Sequence, residues 1–209
     1  QALYKRARRL RRSVAAITPR LELHRSRLSE LETSLTFLEQ HDGAKGFALL
    51  EEELLALLQP ARGPSGEART ARRRGRGDPK AATPQPLELR TADGLRLQVG
   101  RNHRQNEWIS LRQARRGDLW FHAQELPGSH VVLKASEGLA SDDDLQAAAD
   151  LAAHFSRGRG NGRVPVVMVP VEGLQRIPGA AAGTVRHRQG EQFWGEPDRA
   201  LSLLRAQQP

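Results

Sequence analysis

The side chains best able to do chemistry fall in three short runs. Asp118-Leu119-Trp120-Phe121-His122 alternates in polarity, so on a strand Asp118, Trp120 and His122 share one face and Leu119 and Phe121 the other. A Trp between polar neighbours suits stacking on a base, as aromatic platforms do in single-strand RNA binders. The same pattern suits a Trp half-buried under a helix, with Asp118 and His122 hydrogen-bonded beside it. Pro127-Gly128-Ser129-His130 then supplies a turn, a hydroxyl and a second imidazole. Gly100-Arg101-Asn102, followed by Arg104 and Asn106, ends a strand on Gly and sets guanidinium and amide donors in a loop. Such groups contact phosphates and base edges. They also suit a turn in which Asn102 and Asn106 bond their own backbone, with Asn106 as the cap of the next helix.

These residues do not add up to a catalyst. Ser129, His122 and Asp118 are close in sequence, but no G-x-S-x-G nucleophile elbow accompanies them. His122 and His130 lack a third metal ligand at motif spacing, so neither a metal nor another cofactor is expected. Gly158, Gly160 and Gly162 in SRGRGNGR follow no strand, which removes a dinucleotide fingerprint. Asp142-Asp143-Asp144 belongs in the first turn of a helix, where negative charge favours the helix dipole. The chain reads as a binding protein, not an enzyme.

Positioning those runs requires two kinds of element. Residues 2–40 contain no Gly and one Pro, Pro19, and Leu21, Leu28, Leu31, Leu35 and Leu38 recur at the spacing of a narrow coiled-coil seam. Leu3, Leu10, Val14 and Ile17 continue it upstream on a strongly basic helix, and Pro19 is the place for a kink. A stripe this thin cannot hold a lone helix, so it calls for a partner helix. The missing partner, like the start at Gln1 directly in a helical pattern, suggests a piece of a longer protein. His41-Asp42-Gly43-Ala44 breaks the pattern, and a second helix over 47–58, with a wide leucine face suited to packing on a domain, ends before Pro60. Residues 1–60 are therefore expected to form a helical arm. Residues 61–86 combine Pro, Gly, Ser and six arginines, the composition of a basic disordered linker.

From residue 87 onward the pattern is strands and turns. LELR-TADG-LRLQV predicts a hairpin around Asp93-Gly94; NEWISLRQA predicts a short helix, DLWFHAQ and SHVVLKA strands, and 142–156 an Ala-rich helix capped by Ser141 or Asp142. VPVVMVPV predicts a buried strand, and GTVRHRQGEQFWGEP a final hairpin turning at Gln189-Gly190. The fold class expected is α+β: a long helical coiled-coil arm followed by a mixed domain over 87–209.

Charge sharpens the choice of partner. The chain has 209 residues, 33 Lys plus Arg against 24 Asp plus Glu, and a formal net charge of +9 at pH 7. Only Lys5, Lys45, Lys80 and Lys134 are lysines, so 29 cations are arginines, whose planar fork binds phosphate oxygens in pairs. The charge is uneven. Residues 1–40 hold nine cations against four carboxylates, 61–86 seven against two, and 87–209 only sixteen against fourteen. No run of about 18 apolar residues exists, which argues against a membrane span or a secretory leader. Zero cysteines fit a reducing compartment, and a cytoplasmic setting is expected.

GRN followed by QNE, DLWFHAQELPGSHVVLK, LQAAADLAAHFSRGRG and VPVVMVPV, in that order, resemble the C-terminal NFACT-R module of NFACT proteins. The likeness spans about 87–197, and the arm resembles the returning half of that family's antiparallel coiled coil. The resemblance implies a role in ribosome-associated quality control: binding stalled large ribosomal subunits that carry peptidyl-tRNA, and supporting tRNA recruitment for C-terminal alanine tailing. It implies tRNA and rRNA as partners, with a ribosomal protein or a second copy of the chain as candidates for the arm. Bacterial members have also been described as fibronectin-binding proteins, so an adhesion module is the alternative. Carried over by motif, the nucleic-acid-binding set is Arg101, Asn102, Arg104, Asn106, Trp120, His122, Ser129, His130 and Arg176. Where relatives carry a lysine-rich loop this chain has GLQRIPGAAAGTV, keeping Arg176, Pro178, Gly179 and Gly183.

Overall fold

The computed structural model describes residues 1–40, 44–58, 83–177, 180 and 182–207. The expected disordered linker over 61–86 lies, except for its last four residues, outside the described residues. Helix α1 (Ala2–Gln40) runs through Pro19 without a break, and α2 (Ala44–Leu58) follows it. In the domain the order is β1 (Leu87–Arg90), β2 (Arg96–Val99), α3 (His103–Glu107) continued by a π-turn over Trp108–Arg112, β3 (Leu119–Ala123), β4 (Val131–Leu133) and α4 (Asp142–His154). Then come β5 (Val164–Pro170), β6 (Leu174–Arg176), β7 (Val185–His187), β8 (Glu191–Gly195) and α5 (Pro197–Ala206). The class is α+β, as the alternation of patterns predicts.

Six strands form one antiparallel sheet in the order β1-β2-β4-β3-β5-β8. Its first face buries Leu97, Val99, Phe121, Val131, Leu133 and Val166 against α4 and α5. Helix α4 approaches closely because its inner face is Ala148, Ala149, Ala152 and Ala153, and because Gly195 on β8 passes under it. A Cβ at Gly195 would lie 2.3 Å from the Ala149 carbonyl oxygen. Ser141 caps α4 in a reciprocal capping box with Asp144. The second face carries a smaller cluster, Ile109, Trp120, Val132, Val167, Val169 and Leu174, covered by the π-turn and by a separate two-stranded ribbon, β6-β7.

That ribbon corrects the expected final hairpin. β7 pairs with β6 (Leu174↔His187, Arg176↔Val185), whereas β8 adds to the edge of β5 (Val166↔Phe193). The reason is burial: on β5 the Phe193 ring reaches Phe121, with centroids 6.1 Å apart, and completes the main core. Local turn residues cannot outweigh that apolar contact. Helix α5, which the hydrophobic pattern had not suggested, opens on Pro197, buries Ala200 and ties to α4 through an Arg199–Asp150 ion pair at 2.5 Å.

α1 has two working faces. The seam residues Leu21, Leu28, Leu31, Leu35 and Leu38 stay exposed, Leu28 at 57 %. Off the seam, Ser34, Thr36, Phe37 and Gln40 are buried where the last turns of α1 meet the domain, the Phe37 ring standing edge-on to His103 at 5.4 Å. α2 contributes Leu50 and Glu53 to that joint, and Glu53 accepts from the backbone N–H groups of His103 and Arg104, so it caps α3 from outside.

Candidate nucleic-acid interface

β3 places Trp120 and His122 side by side on the second face of the sheet, with rings stacked at 5.5 Å and 7° between planes. His130, the residue before β4, stands alongside, edge-on to Trp120 at 5.0 Å and to His122 at 5.4 Å. His130 is fixed from two sides: its backbone N–H donates to Asn106 Oδ1 at 3.0 Å, and its Nδ1 lies 2.7 Å from Ser110 Oγ. Asn106 also donates from Nδ2 to the Gly128 carbonyl at 3.4 Å. Gly100 is needed for this arrangement, since a Cβ there would meet Asn106 Oδ1 at 2.2 Å. The helix cap is Asn102, whose Oδ1 accepts from Gln105 N–H at 2.8 Å; the expected cap, Asn106, lies inside α3 and reaches across to β4 instead. Two asparagines four residues apart could each serve, and the contact with His130 decides between them.

The result is a cleft of about 280 Å³ between the sheet and α1. Asn106, Trp120, His122 and His130 line it, joined by His103 and His187 and roofed by the 183–185 segment. Opposite, α1 presents Ser26, Ser29, Glu30 and Thr33 at helical spacing of i, i+3, i+4 and i+7, a polar stripe distinct from the leucine seam. That stripe, legible in the sequence once its spacing is sought, is the signal that reasoning from the motifs alone missed. His103 and His187 carried no such pattern.

The other expected residues stand elsewhere. Arg101 donates from Nη2 to the Gln40 carbonyl at 2.5 Å and so clasps the end of α1. Arg104 and Arg176 keep exposed guanidinium groups, paired with Glu52 at 2.9 Å and Glu107 at 3.4 Å. Ser129 is fully buried, donating its N–H to the Phe155 carbonyl, with no partner for its hydroxyl among the described residues. Of the two readings of Trp120, the buried one describes its surroundings: it is 2 % exposed and set among apolar side chains.

Asp118 leaves the motif altogether. It precedes β3, is completely buried, and accepts from Arg115 N–H, Ser136 N–H, Ser136 Oγ and Lys134 Nζ, the last at 2.9 Å. Burial alone would raise its pKa, but these donors together hold it below the usual carboxylate value.

At the imidazoles burial outweighs the hydrogen bonds and carboxylates that would raise them. His122 is lowered from 6.5 to about 4, His130 falls well below 6.5 through burial and the neighbouring His122, and burial likewise lowers His103. They are neutral at pH 7. The unfolded chain takes up these protons first, so stability rises with pH across the interval from the folded to the ordinary pKa. Going from pH 7 to 4.5 should therefore cost about 2–3 kcal/mol from His122 alone. Urea titrations at the two pH values read the loss, and His122→Gln should flatten it; an unchanged slope in that variant would contradict the assignment.

Residues 87–188 match the family described as NFACT protein RNA binding domain. Over these residues the chain is similar to NFACT proteins. Every cleft residue contributed by the sheet side, from His103 to His187, falls within the NFACT-R match, whereas the polar stripe of α1 lies outside it. The chain is 28 % identical over 200 residues to the Rqc2 homolog RqcH of Bacillus subtilis, covering 95 % of this chain and 33 % of that protein. It is 34 % identical over 201 residues to the Rqc2 homolog RqcH of Streptococcus pneumoniae strain D39, covering 95 % and 34 %. It thus spans about a third of the length of these curated relatives. Among solved structures, the C-terminal part of the fibronectin/fibrinogen-binding protein of Streptococcus suis superposes with a TM-score of 0.77 at 29 % identity, over 96 % of this chain and 76 % of that one. No helix among the described residues is long and apolar enough to cross a membrane.

Proposed function

We propose that this chain is the RNA- and ribosome-binding part of a cytoplasmic ribosome-associated quality-control factor, engaging stalled large subunits that carry peptidyl-tRNA and supporting tRNA recruitment for alanine tailing. The observation that carries the reading is the coincidence of a matched RNA-binding domain with a polar, ring-lined cleft whose sheet side lies inside the matched residues. In this reading the chain divides into an arm over 1–60, a basic linker over 61–86 and the NFACT-R domain over 87–209. The arm is one half of an antiparallel coiled coil whose leucine seam takes its other half, and its exposed first 25 residues offer Arg6, Arg8, Arg9, Arg11 and Arg12 to phosphates. Arg104 and Arg176 add exposed guanidinium groups on the domain, exchanging their carboxylate partners for phosphate. The chain binds and does not catalyse.

Phosphate contacts release counterions, so affinity for tRNA or large subunits should fall steeply between 50 and about 200 mM salt. Replacing Arg8, Arg9, Arg11 and Arg12 by Gln should reduce the slope of log K against log salt by about 3. Filter binding across a salt series measures it, and salt-insensitive or absent binding sinks the proposal. The adhesion reading draws on the name of the Streptococcus suis neighbour. It predicts retention on immobilised fibronectin that the four-arginine variant leaves intact.

A further inference from the structure

We infer that the cleft between β3, β4 and α1 is a receptor for a single unpaired RNA base, and that it does not bind phosphate. The inference rests on the RNA-binding reading above and specifies what the cleft takes from the RNA.

Charge excludes the phosphate. Among the described residues the lining contains no Lys or Arg, and its one carboxylate, Glu30, comes from α1 with Oε1 3.1 Å from Ser26 Oγ. An anion there would meet a like charge with no counter-charge. His122 and His130 do not supply one, because burial lowers both and leaves them uncharged at neutral pH.

Hydrogen-bonding capacity selects a polar ligand. Trp120 lines the cleft, is 2 % exposed, and its indole N–H has no acceptor among the described residues. A buried donor left unpaired costs about 1–3 kcal/mol, which a ligand acceptor recovers. Around it stand groups that both donate and accept: the imidazoles of His122 and His130, the hydroxyls of Ser29 and Thr33, and Asn106. A base edge presents the complementary mixture of donors and acceptors, and sequence-specific RNA binding works on unstacked bases of this kind. Size agrees, because about 280 Å³ holds one small planar group and admits no duplex. The cations needed by the adjoining backbone lie outside the lining, where Arg186 and Arg188 flank the lining residue His187 and are exposed.

The test compares hexanucleotides r(A)6, r(U)6 and r(C)6 with an abasic hexamer carrying the same phosphates. Binding is followed by the three indole N–H resonances in a ¹H–¹⁵N spectrum of the whole chain. At least one base-bearing hexamer should bind at least tenfold tighter than the abasic one and shift the Trp120 indole downfield as its N–H gains an acceptor. His122→Phe, which keeps a ring against Trp120 but removes the imidazole nitrogens, should lose that preference while retaining the wild-type circular dichroism spectrum. Equal affinity for the abasic hexamer with a static Trp120 resonance, while tRNA still binds, overturns the base receptor and leaves the RNA-binding reading standing. Failure of tRNA and every hexamer to bind overturns both. Should His122→Phe unfold, the resonance shift in the unaltered chain decides.

Discussion

Asp118→Asn should lower the stability of the domain by about 3–5 kcal/mol, the cost of breaking a buried ion pair from one side. The carboxylate is completely buried and Lys134 is 4 % exposed at its side chain, with Nζ 2.9 Å from Asp118 Oδ2. Besides that ammonium, Asp118 satisfies two backbone N–H groups and the Ser136 hydroxyl, so an amide turns an NH₂ toward donors and leaves Lys134 charged with the Gln113 carbonyl, at 3.3 Å, as its remaining partner among the described residues. The pair also links the turn before β3 to the end of β4, so its loss is felt at the two strands that hold Trp120 and His130. The double variant Asp118→Asn with Lys134→Met removes the stranded charge and should recover part of the loss, a coupling that a double-mutant cycle in urea isolates. Single variants within about 1 kcal/mol of the parent would show that the pair is not what holds this corner.

Trp120→Ala should cost a comparable amount, about 3–5 kcal/mol, for a different reason. The indole fills the space among Ile109, Val132, Val167, Val169 and Leu174 and also backs His122 and His130, so truncation opens a cavity at the point where core and cleft share a wall. Trp120→Phe separates these roles. It keeps a ring in place, and because the indole N–H has no acceptor among the described residues its removal sacrifices no hydrogen bond seen there. Its stability should therefore stay within about 1–2 kcal/mol of the parent. Thermal unfolding by circular dichroism measures both, and a Phe variant as damaged as the Ala variant would mean that the indole nitrogen is engaged after all.

The two variants show why one short motif reads so well and yet divides so sharply. Asp118, Trp120 and His122 are spaced for one strand face, and Trp120 and His122 do share it. Asp118 sits one residue before the strand begins, where the chain turns it toward Lys134, sixteen positions on. Alternation specifies faces only within the paired segment, and nothing local to Asp118 reveals where pairing starts. The arginines show the same limit. Arg101 and Arg104 belong to a loop rich in phosphate-binding groups, but one clasps the Gln40 carbonyl and the other pairs with Glu52, partners that lie across the linker.

The sequence by itself determined most element types, the α+β class, the hairpin at Asp93-Gly94, a cap at Ser141 or Asp142, the leucine seam and the family resemblance, because these depend on periodicity, turn chemistry and a specific motif within short stretches of chain. Tertiary structure alone decided that β8 joins β5 while β7 turns to β6, that α1 covers the sheet with Ser26, Ser29, Glu30 and Thr33, and that four histidines and a Trp converge there. Each of those outcomes is settled by burial between segments distant in sequence. A buried imidazole becomes neutral, and an indole N–H goes unpaired, only when residues from the arm, β3, β4 and β7 close around them.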